Sequence, residues 1–268
     1  MKQKKVNQKY RYFDLIRELA VTDFKLKYQG SVAGYLWSLA KPLMIFGVLY
    51  IVFSVFVKIG SSIPHYPLYL LLGVILWSYF AEATSIGMRS IVEKGDMIRK
   101  VYFPRSVLII SASISSFITL LLNLIVVFIF IAFLRLSIQP VSIILFLLLL
   151  VELYVLVLGV SLFLSSWYVK YRDVGHIWEV LTQVMFYATP IIYPLAIVPS
   201  KFQKLIVLNP ITQIIQDSRW LLISKDTATT HSLLGLPVSM LVTISPFVLA
   251  FFGYKLFKRS AYRFAEEV

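Results

Sequence analysis

Long apolar stretches alternate along this chain with short segments rich in Lys and Arg. Six of them, over about 35–57, 68–91, 106–134, 141–168, 177–198 and 236–254, are long enough to be helical membrane spans. A helix needs about 20 mostly apolar residues to cross ~30 Å of hydrocarbon. The second run carries Glu82, the fourth carries Glu152, and the third has no charge. None alternates with the period of two expected of a membrane β-barrel strand. The predicted fold is therefore all-α integral membrane, with six transmembrane helices. Pro190 and Pro194 break the fifth of these near its outer end.

Two further segments are patterned without being long enough to span. Over about 12–28, Tyr12, Leu15, Ile16, Leu19, Phe24 and Tyr28 share one arc of a helix, and Asp14, Arg17, Glu18, Asp23, Lys25 and Lys27 fill the other. This is the pattern of an amphipathic helix lying at the inner interface. It fits a plain anchor and a gating or partner contact equally. The segment 199–235 is too apolar for a solvated loop and is interrupted at Asn209-Pro210. Two short re-entrant helices in the outer leaflet fit it, with a loop packed on the outer surface as the alternative.

Composition agrees with the pattern. Of 268 residues, 59% are hydrophobic and 15% charged, which excludes a disordered chain and an ordinary soluble enzyme. Cysteine is absent, which removes disulfides, thiolate metal sites and thiol nucleophiles. A formal charge of +13 would suggest nucleic acid in a soluble protein, but here the charge is asymmetric across the bilayer. With the N-terminus inside, the outer side holds only Lys58, Arg135, Lys201, Lys204, Arg219 and Lys225 of the 26 basic residues. The expectation is one transmembrane domain with both termini cytoplasmic: an inner segment over 1–34, six spans and an inner tail over 255–268. The apolar core starts too late for a cleavable signal, so the basic start is expected to be retained.

Candidate chemistry is sparse. Glu82, Glu152 and Glu179 lie in or near spans, where an acid is either structurally paired or part of a proton relay. His65, His176 and His231 are far apart in sequence, and no HExxH spacing exists, so no metal site is expected. Neither a Gly-x-Ser-x-Gly elbow nor a phosphate-binding loop is present. If transport is driven by ATP, a separate chain must hydrolyse it, and the inner loops should carry a docking element. The loop over 91–105 offers one. Met97, Ile98, Val101 and Tyr102 recur at helical spacing and could fill a partner's groove. Arg99, Lys100 and Arg105 would orient that partner, or serve only to set topology.

Several strings in order now carry a resemblance. They are Gly34-Tyr-Leu-Trp37 with Lys41-Pro42 and Val52-Phe53, then Met97-Ile-Arg-Lys-Val-Tyr-Phe103-Pro-Arg105. Tyr171-Arg172-Asp173-Val174, Phe186-Tyr187, Pro190 and Tyr193-Pro194 follow, then Asn209-Pro210 and Arg219. The chain resembles the membrane permease subunit of ABC-2-type exporters of bacterial surface polysaccharides: O-antigens, capsules and wall teichoic acids. The resemblance implies a homodimer in the bacterial inner membrane with two copies of a cytoplasmic ABC ATPase, which would bind ATP and Mg. No cofactor or catalysis is then expected of this chain itself. It also implies a coupling helix at Met97–Arg105, Phe103 included, with Tyr171, Arg172 and Asp173 in the second inner loop. The implied cargo is a lipid-linked glycan on an undecaprenyl-pyrophosphate or similar carrier.

A buried sugar hydroxyl without a partner costs on the order of 1–3 kcal/mol, so a glycan path must supply contacts. Aromatic faces and hydroxyls suit sugars. Tyr35, Trp37, Phe46 and Tyr50 on the first span and Phe186, Tyr187 and Tyr193 on the fifth are the path candidates. Lipid-facing roles are the alternative. Lys25, Lys27, Lys41 and Arg89 are candidates for the pyrophosphate, with topology and anionic lipid as their alternative. Three other functions stay open at this point: an ABC-2 permease for a smaller lipid or drug, a proton-coupled secondary transporter, and a membrane-embedded glycolipid enzyme.

Overall fold

The computed structural model of the chain describes residues 2–28, 34, 36–59, 63–101, 103–262 and 264. Tyr35 and Tyr102 lie outside the described residues. The described residues form helices and no strands. In chain order these are α1 (Lys2–Tyr28), α2 (Leu36–Tyr50) running on as a π-helical turn (Ile51–Phe56), α3 (Tyr66–Glu93), α4 (Gly95–Lys100), α5 (Ser106–Phe133), α6 (Pro140–Tyr168), α7 (Val174–Ala188), α8 (Ser200–Ile206), α9 (Pro210–Leu222) and α10 (Thr230–Ser260). A short 3₁₀ turn, Leu195–Ile197, precedes α8. Among the described residues, five helices are long and apolar enough to cross a membrane: Leu36–Phe56, α3, α5, α6 and α10.

The expected fifth span, 177–198, is not one helix. α7 stops at Ala188 after 15 residues, about 22 Å of rise and short of the ~30 Å hydrocarbon. Thr189, which precedes Pro190, is extended, as a residue before proline prefers to be. The segment nevertheless follows α3 along most of its length. Gly175 lies against Met88, and Trp178 Nε1 donates to Thr84 Oγ1 at 3.0 Å. At the other end the Tyr66 hydroxyl donates to the carbonyl of Ile192 at 2.9 Å.

α3 is the centre of the bundle. Its buried face joins Leu120, Leu124 and Val127 of α5, Leu153 and Val157 of α6, and Ile211, Ile214 and Ile215 of α9 in one core. A second core closes the other end. There Ile91, Ile98, Phe103, Val107, Leu108, Leu162, Val169, Phe257 and Phe264 meet. The arc of α1 carrying Tyr12, Leu15, Ile16 and Leu19 packs on this second core, so it is covered by protein rather than by lipid. α1 also starts well before the amphipathic stretch that marks it in the sequence.

α6 and α10 approach closely through small residues, as helices in lipid do when packing rather than hydrophobicity joins them. A Cβ at Gly159 would lie 2.7 Å from the Ala250 backbone, and one at Gly253 would strike the Gly159 carbonyl. Gly159→Val should therefore force the two helices apart, at about 1–3 kcal/mol for overpacking. Size-exclusion profiles of the fluorescently tagged protein should lose their single peak. Gly47→Ala, where a Cβ has nothing within 4 Å, should leave the peak intact. Equal profiles for the two variants would remove Gly159 from the packing.

Candidate functional site

A cleft of about 1170 Å³ opens between α2 and α7 and is floored by α3 and α5. Trp37 and Lys41 stand on its α2 wall and Glu179, Phe186 and Tyr187 on its α7 wall. The floor is polar. Ser78, Glu82, Ser85 and Arg89 come from α3, and Ser116, Thr119 and Asn123 come from α5 at near one-turn spacing. These α5 side chains lie within the uncharged third run, where the hydropathy pattern hides them.

The expected cations divide. Lys27, Lys41 and Arg89 line the cleft, whereas Lys25 is exposed on α1 away from its lining. Lys27 Nζ pairs with Glu82 Oε1 at 2.5 Å. Among the described residues, Lys41 and Arg89 pair with no carboxylate. A second ion pair, Lys94–Asp23 at 2.6 Å, ties α1 to the end of α3. Of the three membrane acids, Glu82 and Glu179 line the cleft. Glu152 does not. It is buried in α6, and its Oε1 has no hydrogen-bond partner.

The expected aromatic path divides as well. Trp37, Phe186 and Tyr187 line the cleft, and Tyr187 is largely exposed there. Phe46 and Tyr50 instead begin a stack that runs towards the far end: Phe46–Tyr50 at 5.9 Å, Tyr50–Tyr66 at 6.5 Å and Tyr66–Tyr69 at 6.4 Å between centroids. Tyr193 sits beyond the cleft, its hydroxyl donating to the Tyr187 carbonyl at 2.9 Å.

That stack ends on Arg219, which is wholly buried. Its guanidinium lies 3.4 Å over the Tyr69 ring. Nε donates to the Tyr69 carbonyl at 3.1 Å, Nη1 to the Pro190 carbonyl at 2.6 Å and to Gln216 Oε1 at 2.8 Å, and Nη2 to the Ile191 carbonyl at 2.8 Å. A guanidinium keeps its charge in proteins, so these acceptors face a cation. Gly73 is required beneath it, because a Cβ there would strike Nη2. α9 brings Arg219 to this point. Asn209 caps α9 by accepting from the Ile211 N–H at 3.2 Å, and Pro210 opens the helix. In the sequence Arg219 is one of the residues of the outer segment that carry the resemblance, with no role of its own. A lone arginine in an otherwise buried helix, following two prolines that break the helix before it, was the available signal.

The inner loop forms a short helix, α4, as its pattern suggests, but its residues face different ways. Ile98 and Phe103 are buried in the second core and Met97 packs against it. Arg99, Lys100 and Val101 are exposed, and Arg105 is half-buried. The second inner turn, with exposed Tyr171, Arg172 and Asp173, lies at the same end, since Val169 joins the same core as Ile98. Arg172 donates to the Tyr168 carbonyl at 3.3 Å and sits 5.4 Å over its ring. Among the described residues, no three His, Cys, Asp or Glu side chains gather to hold a metal ion.

With this geometry in place, comparison with known proteins is informative. Residues 14–223 match the ABC-2 type transporter family. Two proteins of Klebsiella pneumoniae, each named O-antigen export system permease protein RfbA, are 29% identical to this chain, and each comparison covers 95% of both proteins. A Myxococcus xanthus protein of the same name is 26% identical over 78% of this chain and 80% of its own length.

Arg219→Leu should strand three backbone carbonyls, each costing about 1–3 kcal/mol. The melting temperature of the purified protein should fall by roughly 5–10 °C. Arg219→Lys should recover only part of the loss, because an ammonium lacks the planar fork that reaches several carbonyls at once. An unchanged melting curve for Arg219→Leu would show that the buried cation holds nothing together.

Proposed function

This chain belongs to the ABC-2 type transporter family, and from that premise we propose that it is the permease of an exporter of surface polysaccharide. O-antigen is the class that the names of its relatives favour. The observation that carries this reading is the cleft between α2 and α7, with aromatic walls and a hydroxyl- and amide-bearing floor. A hydroxylated chain needs such partners at every step, and weak ones, so that it can move on.

In this reading the cargo is a lipid-linked glycan whose diphosphate meets Lys41 and Arg89 at the cleft. Both are cations that no carboxylate among the described residues neutralises. The acyl chain stays in lipid while the sugars enter between α2 and α7. α7 and the bent segment after it make the fifth of six crossings, which puts both ends of the chain on the inner side of a bacterial inner membrane. Two copies assemble with two ATPase chains, which hold ATP and Mg. The permease contributes a path and no catalysis.

The ATPase docks on the exposed side of α4, at Arg99, Lys100 and Val101, with Tyr171–Asp173 beside it. Ile98 and Phe103 anchor α4 to the second core, so a push on α4 reaches α1, α5 and α10 as one body. Nucleotide-driven movement of the ATPases would reach the cleft through that core.

Three measurements test the reading. Deleting the gene in its native host should abolish surface polysaccharide and leave lipid-linked glycan inside. Arg99→Glu with Val101→Asp should cut co-purification of the ATPase by about tenfold or more, the effect of ~1.4 kcal/mol at an interface. The permease itself should stay monodisperse, and unchanged co-purification would move docking elsewhere. Lys41→Ala with Arg89→Ala should lower surface polysaccharide several-fold in an intact complex. Normal export by that variant would take the diphosphate away from these two residues.

A further inference from the structure

The ring of Pro42 removes one backbone N–H from α2. The carbonyl of Ser38, four residues earlier, thereby loses the donor that an unbroken helix would give it. Asn123 of α5 supplies a replacement. Its Nδ2 donates to the Ser38 carbonyl at 3.2 Å and to the Thr119 carbonyl, one turn back on α5, at 2.8 Å. With both amide hydrogens committed, the orientation of the side chain is fixed. Its Oδ1 is left buried with no hydrogen-bond partner.

This contact sits where α2 meets the bundle. Ser38 and Pro42 are the buried residues of α2, while the rest of the helix is half-buried or exposed. Leu36–Phe56 is also the least buried of the five crossing helices. Ser38, Pro42 and Asn123 all line the cleft. The part of α2 that walls the cleft is therefore tied to the floor by a directional polar bond to a carbonyl that a proline deprives of its usual helical donor.

We propose that the Asn123–Ser38 bond is a latch that holds α2 shut over the cleft, and that its release lets the N-terminal half of α2 lift to admit a hydroxyl-rich ligand. Asn123 is a positioning residue in this scheme. In the shut state its oxygen is wasted. Once α2 lifts, that oxygen and the Ser38 carbonyl both become acceptors facing the cleft, beside Ser116 and Thr119. Hydroxyl donors fill them there, so a polyhydroxylated ligand interacts better with the open state than with the shut one and shifts the balance towards opening. Purely apolar ligands gain nothing from the exchange. The inference rests on the export reading only where it makes the cleft the point at which cargo enters; the latch itself is scored independently.

The absence of cysteine makes the test clean. Ser78→Cys places a single thiol on the cleft floor. Its labelling rate with a water-soluble maleimide is measured on the full chain in lipid nanodiscs in four backgrounds: parent, Asn123→Leu, Pro42→Ala and the two combined. Asn123→Leu should raise the rate by about fivefold, the population change expected of one net hydrogen bond. In the Pro42→Ala background the restored N–H at position 42 already holds the Ser38 carbonyl. There, Asn123→Leu should change the rate by less than about twofold. Equal factors in the two backgrounds, or no rise in the first, overturn the latch. Ser111→Cys, fully buried in α5, should stay unlabelled throughout; labelling there reports general loosening and overturns it as well. Should Asn123→Leu fail to assemble, Asn123→Ser, too short to reach Ser38, is read in the same way. Surface polysaccharide that survives deletion of the gene would remove the export reading, while coupled labelling would keep the latch.

Discussion

Arg219 carries a positive charge into a place where no carboxylate among the described residues meets it, and two stretches of backbone turn carbonyls towards it. One stretch is the start of α3 at Tyr69 and the other is the broken segment after α7 at Pro190 and Ile191, while Gln216 of α9 adds its side-chain Oε1. Backbone that leaves a helix among membrane spans has no water to satisfy it and survives only where protein supplies partners. The guanidinium supplies several donors at once in a fixed plane. That one side chain ties the segment after α7 and the end of α9 to the start of α3.

The cleft applies the same chemistry more lightly. Pro42 frees a carbonyl in α2 as the break at Thr189–Pro190 frees carbonyls after α7, but the group that collects it is a neutral amide. A buried cation with four hydrogen bonds is costly to dislodge, whereas a single amide bond is within reach of a ligand's own interactions. The bundle thus has a stiff end around Arg219 and a yielding wall at α2. The aromatic stack Phe46–Tyr50–Tyr66–Tyr69 joins the two, since it starts on α2 and finishes under the guanidinium.

Hydropathy made α3, α5, α6, α10 and the first crossing legible, because each is a long apolar run and lipid demands little else of a helix. The segment 177–198 was legible only as a length of apolar chain. Hydropathy counts residues and does not see that Ala188 ends the helix and that turns, bends and a 3₁₀ turn follow it. The candidate site was legible in part. Trp37, Lys41, Arg89, Phe186 and Tyr187 meet in one cleft although they are spread along the chain, whereas Phe46, Tyr50 and Tyr193 lie outside its lining. Helical spacing placed Ile98 beside Val101 on a partner-facing side, but Ile98 turns inward, because the short α4 must bury something to stay attached. Asn123 was not singled out, and Arg219 was noticed only as part of the resemblance, for a common reason. Their importance lies in which carbonyls they reach, and the sequence shows a proline's missing donor without showing which distant side chain replaces it.

The second core gathers Tyr12, Leu15 and Leu19 from early in the chain, Ile98 and Phe103 from its middle, and Phe257 and Phe264 from late in it. A ribosome delivers these residues in that order, with most of the membrane spans inserted in between. The core on which α4 rests is therefore incomplete until residue 264 has emerged, however well the bundle around α3 has already packed. A nascent copy still lacks the two late phenylalanines that close this end of the bundle, so the order of synthesis makes it the last part of the molecule to be finished.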